Sequence, residues 1–395
     1  MKHKHIGVLS IGHMLTDINQ GALPAMLPFF ITAYDLSYTA AAALVFVVNM
    51  SSSVVQPLFG LAADRFAKPW LLPIGLILAG LGLALTGHVY RYESLMALGV
   101  ISGIGIAAYH PEAARLVNLA AAKNKGAAMG IFGVGGTLGF SLGPLVITTA
   151  MLKWGLGGTL VLIVPVTVMA VVVIHLMPEL AALGADRQLA QQNSSTGTLG
   201  ENWSGFRRLA LLVSTRSIIF FGLNVFIPIY WIDGLGQSQV AAAGALTVFT
   251  GSGIFGTMLG GRLADRAGGR KIVVIGMLGL ALLLPFFLFV ENVQLATLVL
   301  ALAGLSLFIT YSPTIVLGQG YLPNRIGLSS GVTLGLAVAI GGGATPFIGK
   351  IADVYGAWTA LAFVSSLPVL PLLLALSLPA PQDEKATANI GKLAG

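Results

Sequence analysis

Polar residues along this chain fall in short clusters separated by long apolar runs. Bounded by charges or by Pro and Gly turns, the runs lie near 6–33, 39–62, 70–90, 93–117, 126–150 and 156–178. A second set lies near 208–232, 239–263, 271–290, 293–318, 327–349 and 356–378. Each is close to the roughly 20 residues an α-helix needs to cross a bilayer. The pattern predicts an all-α membrane protein of twelve transmembrane helices, built as two pseudo-symmetric six-helix bundles at 1–178 and 208–378. Between them, 179–207 carries Asp186, Arg187, Gln191, Gln192, Asn193, Ser194 and Ser195, too polar for the bilayer interior and suited to a cytoplasmic linker. The stretch 379–395, with Gln382, Asp383, Glu384 and Lys385, reads as a disordered aqueous tail.

Composition agrees. Of 395 residues, 56% are apolar and 9% charged, against about 25% charged in soluble proteins, and the mean hydropathy is +0.89. No room remains for a large soluble enzyme or receptor domain. The absence of cysteine excludes disulfides, thiolate metal sites and cysteine catalysis. No Gly-x-x-x-x-Gly-Lys-Ser/Thr loop is present, which argues against ATP as the energy source, and no compact metal-ligand cluster or nucleophile elbow stands out. No enzyme activity, cofactor or metal is expected.

The net charge of +7 points to orientation rather than nucleic acid. With both termini inside, sixteen Lys and Arg fall in inner loops and tails, and only Arg91, Lys153 and Lys350 fall outside. Both termini are therefore expected on the cytoplasmic side of the inner membrane. The lipid bilayer, protons and a small molecule are the expected partners of a monomer.

The two halves repeat. Gly60, Asp64 and Arg65 recur 201 positions later as Gly261, Asp265 and Arg266, and Gly75, Gly126 and Gly130 recur at the same offset as Gly276, Gly327 and Gly331. Tyr109 and Pro111 recur at an offset of 202 as Tyr311 and Pro313. A register held over several helices argues for duplication of a six-helix unit, and duplicated halves predict a substrate site between them.

An ionisable side chain at the centre of a membrane helix costs roughly 2.5–3.5 kcal/mol, so the few present are functional candidates. His13, Asp17 and Gln20 stand at i, i+4 and i+7 on one face of helix 1, beside Asn19. Helix 4 carries Tyr109, His110, Pro111, Glu112 and Arg115, with Glu112 and Arg115 spaced to pair. In one reading, Asp17 and Glu112 exchange protons under the influence of Arg115, and His13 and His110 relay them or touch substrate. In the other, Glu112 and Arg115 form a permanent structural pair, and His13 and Asp17 bond neighbouring helices. Arg216 reads as snorkelling to the inner interface near Arg207 and Arg208. The second half offers Asn224, Tyr230 and Tyr311, with Ser312, Gln319 and Thr333, as hydrogen-bonding walls of a substrate pocket.

The paired Gly-x-x-x-Asp-Arg loops, Gly60 to Arg65 and Gly261 to Arg266, allow close helix approach, with carboxylates free to bond helix-terminal amides and arginines free to bridge helices. They are candidates for an inner gate. Helix 5 adds Gly130, Gly135, Gly139, Gly143 and Pro144, a stripe that permits tight contact and a bend, for which packing alone would suffice.

Six plus six helices with these paired loops resemble the major facilitator superfamily over nearly the whole chain. The Gly130, Gly139, Gly143-Pro144 spacing is similar to the antiporter motif of proton-coupled drug exporters, departing at Ile147 and Thr148, where that motif has glycines. More narrowly, His13-x-x-x-Asp17-x-x-Gln20, the run Tyr109 to Arg115, Gly133-Val134-Gly135-Gly136 and Ser141-Leu142-Gly143-Pro144 resemble the fosmidomycin resistance proteins. The first inner loop departs from the superfamily pattern at Ala67 and Pro69. The resemblance implies an inner-membrane exporter of a small amphipathic or anionic compound, driven by proton influx and working by alternating access. A proton symporter or facilitator importing a sugar or organic acid is the alternative on the same scaffold, and a transporter-like receptor is the alternative of another class.

Overall fold

The computed structural model describes residues 2–36, 38–66, 69–121, 124–183 and 200–379. Most of the expected linker and nearly all of the expected tail lie outside the described residues. Every regular element among the described residues is helical. The first half contains α1 (Lys2–Tyr34), α2 (Tyr38–Val54), α3 (Gln56–Phe66), α4 (Leu71–Ala84), α5 (Tyr92–Ala120), α6 (Lys125–Trp154) and α7 (Ile163–His175). The second contains α8 (Trp203–Ile229), α9 (Gln239–Ala267), α10 (Gly269–Phe287), α11 (Val293–Phe308), α12 (Tyr311–Tyr321), α13 (Ile326–Ser330), α14 (Ala337–Tyr355), α15 (Ala357–Ser366) and α16 (Val369–Ser377).

Nine helical stretches among the described residues are long and apolar enough to cross a membrane, and one of them, Lys125–His175, runs for 51 residues, room enough for two crossings. Helices α1 and α9, with 33 and 29 residues, have the length without being among the nine. In α1 the apolar run is interrupted by His13, Asp17, Asn19 and Gln20.

Several expected single helices are divided. The run 39–62 breaks between α2 and α3 just before Pro57, 293–318 between α11 and α12 just before Pro313, and 356–378 at Pro368. Proline removes an amide donor and crowds the preceding turn, so breaks gather there. Pro111 is tolerated inside an unbroken α5. A π-helical stretch, Gly331–Leu336, carries α13 into α14.

Burial is inverted relative to a soluble protein. Phe46, Leu58, Leu145, Val168, Phe289 and Phe347 are exposed, while His13, Thr16, Asn19, Glu112, Arg115 and Ser312 are buried. Apolar exteriors suit acyl chains, and polar groups shut away from lipid must find partners within the protein.

Contacts divide the chain into two compact units. One comprises residues 1–123, 131–199 and 324–336, and the other 124–130, 200–323 and 337–395. The units are thus interleaved in sequence rather than separated by one cut at the linker. Within the first, α6 lies on α1 along its glycine stripe: a Cβ at Gly135, Gly139 or Gly143 would collide with the carbonyl oxygens of Ser10, Met14 and Ile18 respectively. Gly139 and Gly143, candidates for gating, thereby bring two helix backbones together, and Pro144 lies inside the same unbroken helix. That contact fixes α1, which carries the acidic site.

Candidate functional site

The polar face of α1 meets α5 at Asp17. One carboxylate oxygen, Oδ1, is 3.0 Å from His110 Nε2, and the other, Oδ2, is 3.2 Å from His13 Nε2. Each ring is held from its far side. His13 Nδ1 lies 2.7 Å from the Phe132 carbonyl oxygen, and His110 Nδ1 lies 2.9 Å from that of Ile106. The His13 ring also stacks on Phe132 at a centroid distance of 4.0 Å and meets His110 edge-on at 4.8 Å. Gly136 of α6 makes space for the arrangement, because a Cβ there would stand 2.7 Å from both Asp17 Oδ2 and His13 Nε2.

This geometry fixes the proton inventory. A carbonyl oxygen only accepts, so each Nδ1 carries a hydrogen and donates it, leaving both Nε2 atoms aimed at carboxylate oxygens. Two hydrogen bonds to Asp17 then require two mobile protons, as two imidazolium rings or as one imidazolium and a protonated Asp17. With one mobile proton a single contact is satisfied. With none, two lone pairs face a carboxylate at close range. The cluster therefore has hydrogen-bonding positions for two protons between the rings and the carboxylate.

The three donors lie within 4.8 Å of one another, a spacing a metal ion could use. Sequence alone predicted no compact ligand cluster; the correction arises because His110 is 93 positions from Asp17. The contacts nevertheless have hydrogen-bond rather than coordination length, and the two rings address opposite oxygens of the carboxylate, an arrangement that favours shared protons.

Glu112 and Arg115 form a closed pair. Arg115 Nε donates to Glu112 Oε2 at 2.7 Å and Nη2 donates to Oε1 at 2.8 Å. The Glu112 side chain is 0% exposed, whereas that of Asp17 is 13% exposed. Only the second keeps any accessible surface.

The remaining first-half candidates are tied to neighbouring chain. Tyr109, fully buried, donates from its hydroxyl to the Leu9 carbonyl at 2.8 Å and joins α5 to α1. Asn19 donates to Leu15 of its own helix, leaving its buried Oδ1 without a partner, and Gln20 donates to Asn49 Oδ1 at 3.2 Å. In the second half, Asn224 donates to Phe220 of the same helix, Tyr230 reaches the Leu288 carbonyl at 3.4 Å, and the Tyr311 ring faces Arg216. A cavity of about 400 Å³ lined by Phe29, Thr32, Ala33, Gly155 and Leu156 contains no ionisable side chain and belongs to none of these groups.

The paired loop motifs have matching geometry. In the first unit Asp64 accepts the amides of Gly327 and Leu328 at 2.8 and 2.9 Å. In the second, Asp265 accepts those of Gly126 and Ala127 at 2.9 and 2.8 Å. Each carboxylate thus caps the first turn of a helix, where amides lack intrahelical partners and the helix dipole attracts negative charge. The glycines allow the approach, since a Cβ on Gly60 would strike the Gly327 carbonyl and one on Gly261 the Gly126 carbonyl. Arg266 is exposed, and the Arg65 side chain lies outside the described residues.

Gly136 and the partnership of His110 with Asp17 escaped the sequence reading as site features. Only the Gly133-Val134-Gly135-Gly136 run hinted at the first.

Residues 9–333 match the sequence model of the Major Facilitator Superfamily. The chain is 32% identical over 391 residues to the MFS-type transporter YfnC of Bacillus subtilis (strain 168), covering 96% of this chain and 93% of that protein. It is 26% identical over 377 residues to the fosmidomycin resistance protein of Escherichia coli (strain K12), covering 93% and 91%. Its fold is similar to the crystal structure of the transporter FucP in its outward conformation, with a TM-score of 0.71, 15% identity and coverage of 95% and 98%. With an all-helical fold, apolar exterior and a family match over most of its length, the chain belongs to the Major Facilitator Superfamily and is a multi-pass membrane transporter.

Proposed function

We propose that this protein is a proton-coupled exporter of a small amphipathic or anionic compound of the fosmidomycin type, acting as a monomer in the bacterial inner membrane with both termini cytoplasmic. The observation that carries the reading is the Asp17 carboxylate held between His13 and His110, an acid–base cluster enclosed by helices whose carboxylate keeps 13% of its side-chain surface accessible. Similarity to a fosmidomycin resistance protein supports the direction of transport. Protons entering from outside load the cluster and those leaving inside empty it, and the change in charge biases alternating access by the two bundles. One elementary charge moving through 100 mV supplies about 2.3 kcal/mol. The Glu112–Arg115 pair braces α5 beneath the site, and release and re-formation of the Asp64 and Asp265 caps accompany the cycle.

The test is transport of fosmidomycin into inverted membrane vesicles. An exporter accumulates the drug when the vesicle interior is acidic, whereas a symporter is driven by acid on the starting side. Asp17→Asn is expected to abolish gradient-driven accumulation while leaving substrate counterflow. Full gradient-driven accumulation in that variant would refute the assignment.

A further inference from the structure

Arg216 stands eight residues beyond Arg208, the exposed arginine at the edge of the apolar run, about 12 Å further along the axis of α8 and so inside a bilayer core of about 30 Å. The sequence alone suggested a side chain snorkelling to the interface. Instead it is 8% exposed and enclosed by protein. Arg207 and Arg208 are the exposed pair, and Arg208 Nη1 donates to the Ser377 carbonyl at 2.7 Å.

Arg216 Nε is buried with no hydrogen-bond partner, and no carboxylate among the described residues pairs with the guanidinium. Its compensating neighbour is the Tyr311 ring, whose centroid is 5.6 Å from Cζ. A guanidinium does not discharge its proton to escape burial as a lysine can. A ring face offsets only part of that charge, and it offers nothing to an in-plane N–H donor.

The internal repeat gives the position meaning. Tyr311, Ser312 and Pro313 stand 202 positions after Tyr109, His110 and Pro111, and α8 opens the second set of helices as α1 opens the first. Arg216 and Tyr311 thus occupy the pair of helices that in the first half carries His13, Asp17 and His110. There an acid–base cluster closes on itself. Here a cation is left open.

We propose that Arg216 is the oxyanion-recognition residue of the transport site, gripping a phosphonate, phosphate or carboxylate group of the substrate with its guanidinium fork while the Tyr311 ring walls the site. This deepens the export reading and rests on it only for the claim that a small anionic compound is carried. Planar guanidinium and two-oxygen anions match in bidentate geometry, and removal from water strengthens the pairing.

The test is equilibrium binding to the full chain in lipid nanodiscs, read as a shift in melting temperature during titration with fosmidomycin, methylphosphonate or acetate, with dimethyl methylphosphonate as the uncharged control. Wild type is expected to be stabilised by at least one of the anions and not by the ester. Arg216→Gln is expected to weaken that binding by about tenfold or more, and Arg216→Lys, which keeps the charge but loses the fork, by a smaller factor. Should Arg216→Gln prove unstable, the weakened lysine variant carries the result. Stabilisation by no anion, equal stabilisation by the ester, or variants binding within about twofold of wild type would overturn the proposal. No proton gradient is involved, so the outcome stands whether or not transport is proton-driven.

Discussion

Asp17 and His110, on helices α1 and α5 and 93 positions apart in sequence, meet at 3.0 Å, and the histidine is oriented by a backbone carbonyl of its own helix. Each contact from Asp17 thus reaches a ring whose tautomer is already set. Such a site works only while its spacing is kept.

Gly136 keeps that spacing without carrying a titratable group. Gly136→Ala inserts a methyl 2.7 Å from Asp17 Oδ2 and His13 Nε2, an overpacking that costs about 1–3 kcal/mol. Gradient-driven uptake into inverted vesicles is expected to drop about as far as in Asp17→Asn, with counterflow retained. Gly157→Ala, where a Cβ meets nothing within 4 Å, is the control. Normal gradient-driven uptake in Gly136→Ala would mean that the triad tolerates displacement and that its geometry is not what couples.

Glu112 answers to a different logic. With both carboxylate oxygens held by Arg115 and no exposure, it is expected to act as a brace. Glu112→Gln alone strands a buried guanidinium and is expected to destabilise the protein by about 3–5 kcal/mol. Adding Arg115→Gln removes the stranded charge and recovers much of the loss, read by melting in nanodiscs. The double variant is also expected to retain gradient-driven transport. If it folds but no longer responds to the gradient, Glu112 belongs to the proton path.

At the start of α1, outside the apolar spans, Glu179 Oε2 lies 2.7 Å from His5 Nε2 and Oε1 lies 3.7 Å from Lys4 Nζ. The hydrogen bond with His5, aided by Lys4, holds the Glu179 carboxyl below its ordinary 4.5. A carboxyl lowered in the folded state adds stability above its ordinary value and loses it as pH falls through the lowered one. The melting temperature of Glu179→Gln is therefore expected to lie slightly below wild type at about pH 7 and to converge with it as the pH falls through the lowered value. A gap of constant size across that range would show that the carboxylate's charge is irrelevant there.

Long apolar runs marked the segments as helical because lipid imposes one requirement on every spanning segment, that its backbone be satisfied internally. The stripe His13, Asp17, Gln20 was equally visible, since helical spacing is local. What sequence could not display was distance across the chain. Nothing near Asp17 announces that His110 will face it, and nothing near Asp64 announces the amides of Gly327 and Leu328. The α6 stripe was legible as close packing, but its partner, the backbone of α1, emerged only in three dimensions. Arg216 was misjudged for the same reason: nearness to Arg207 and Arg208 in sequence suggested a shared exit to the interface, whereas enclosure by neighbouring helices decides where the side chain rests.

The aspartate caps bear on how the chain is assembled. Asp64 and the amides it accepts stand 263 and 264 positions apart, and Asp265 stands 139 and 138 from its own. A break anywhere in 184–199 would place both members of each partnership on different polypeptides. Either fragment made alone would leave its aspartate unanswered and its compact unit short of one segment, so fragments produced together in one cell are expected to reassemble and to be degraded when produced singly. Each cap thus ties a residue from one half of the sequence to helix-opening amides from the other.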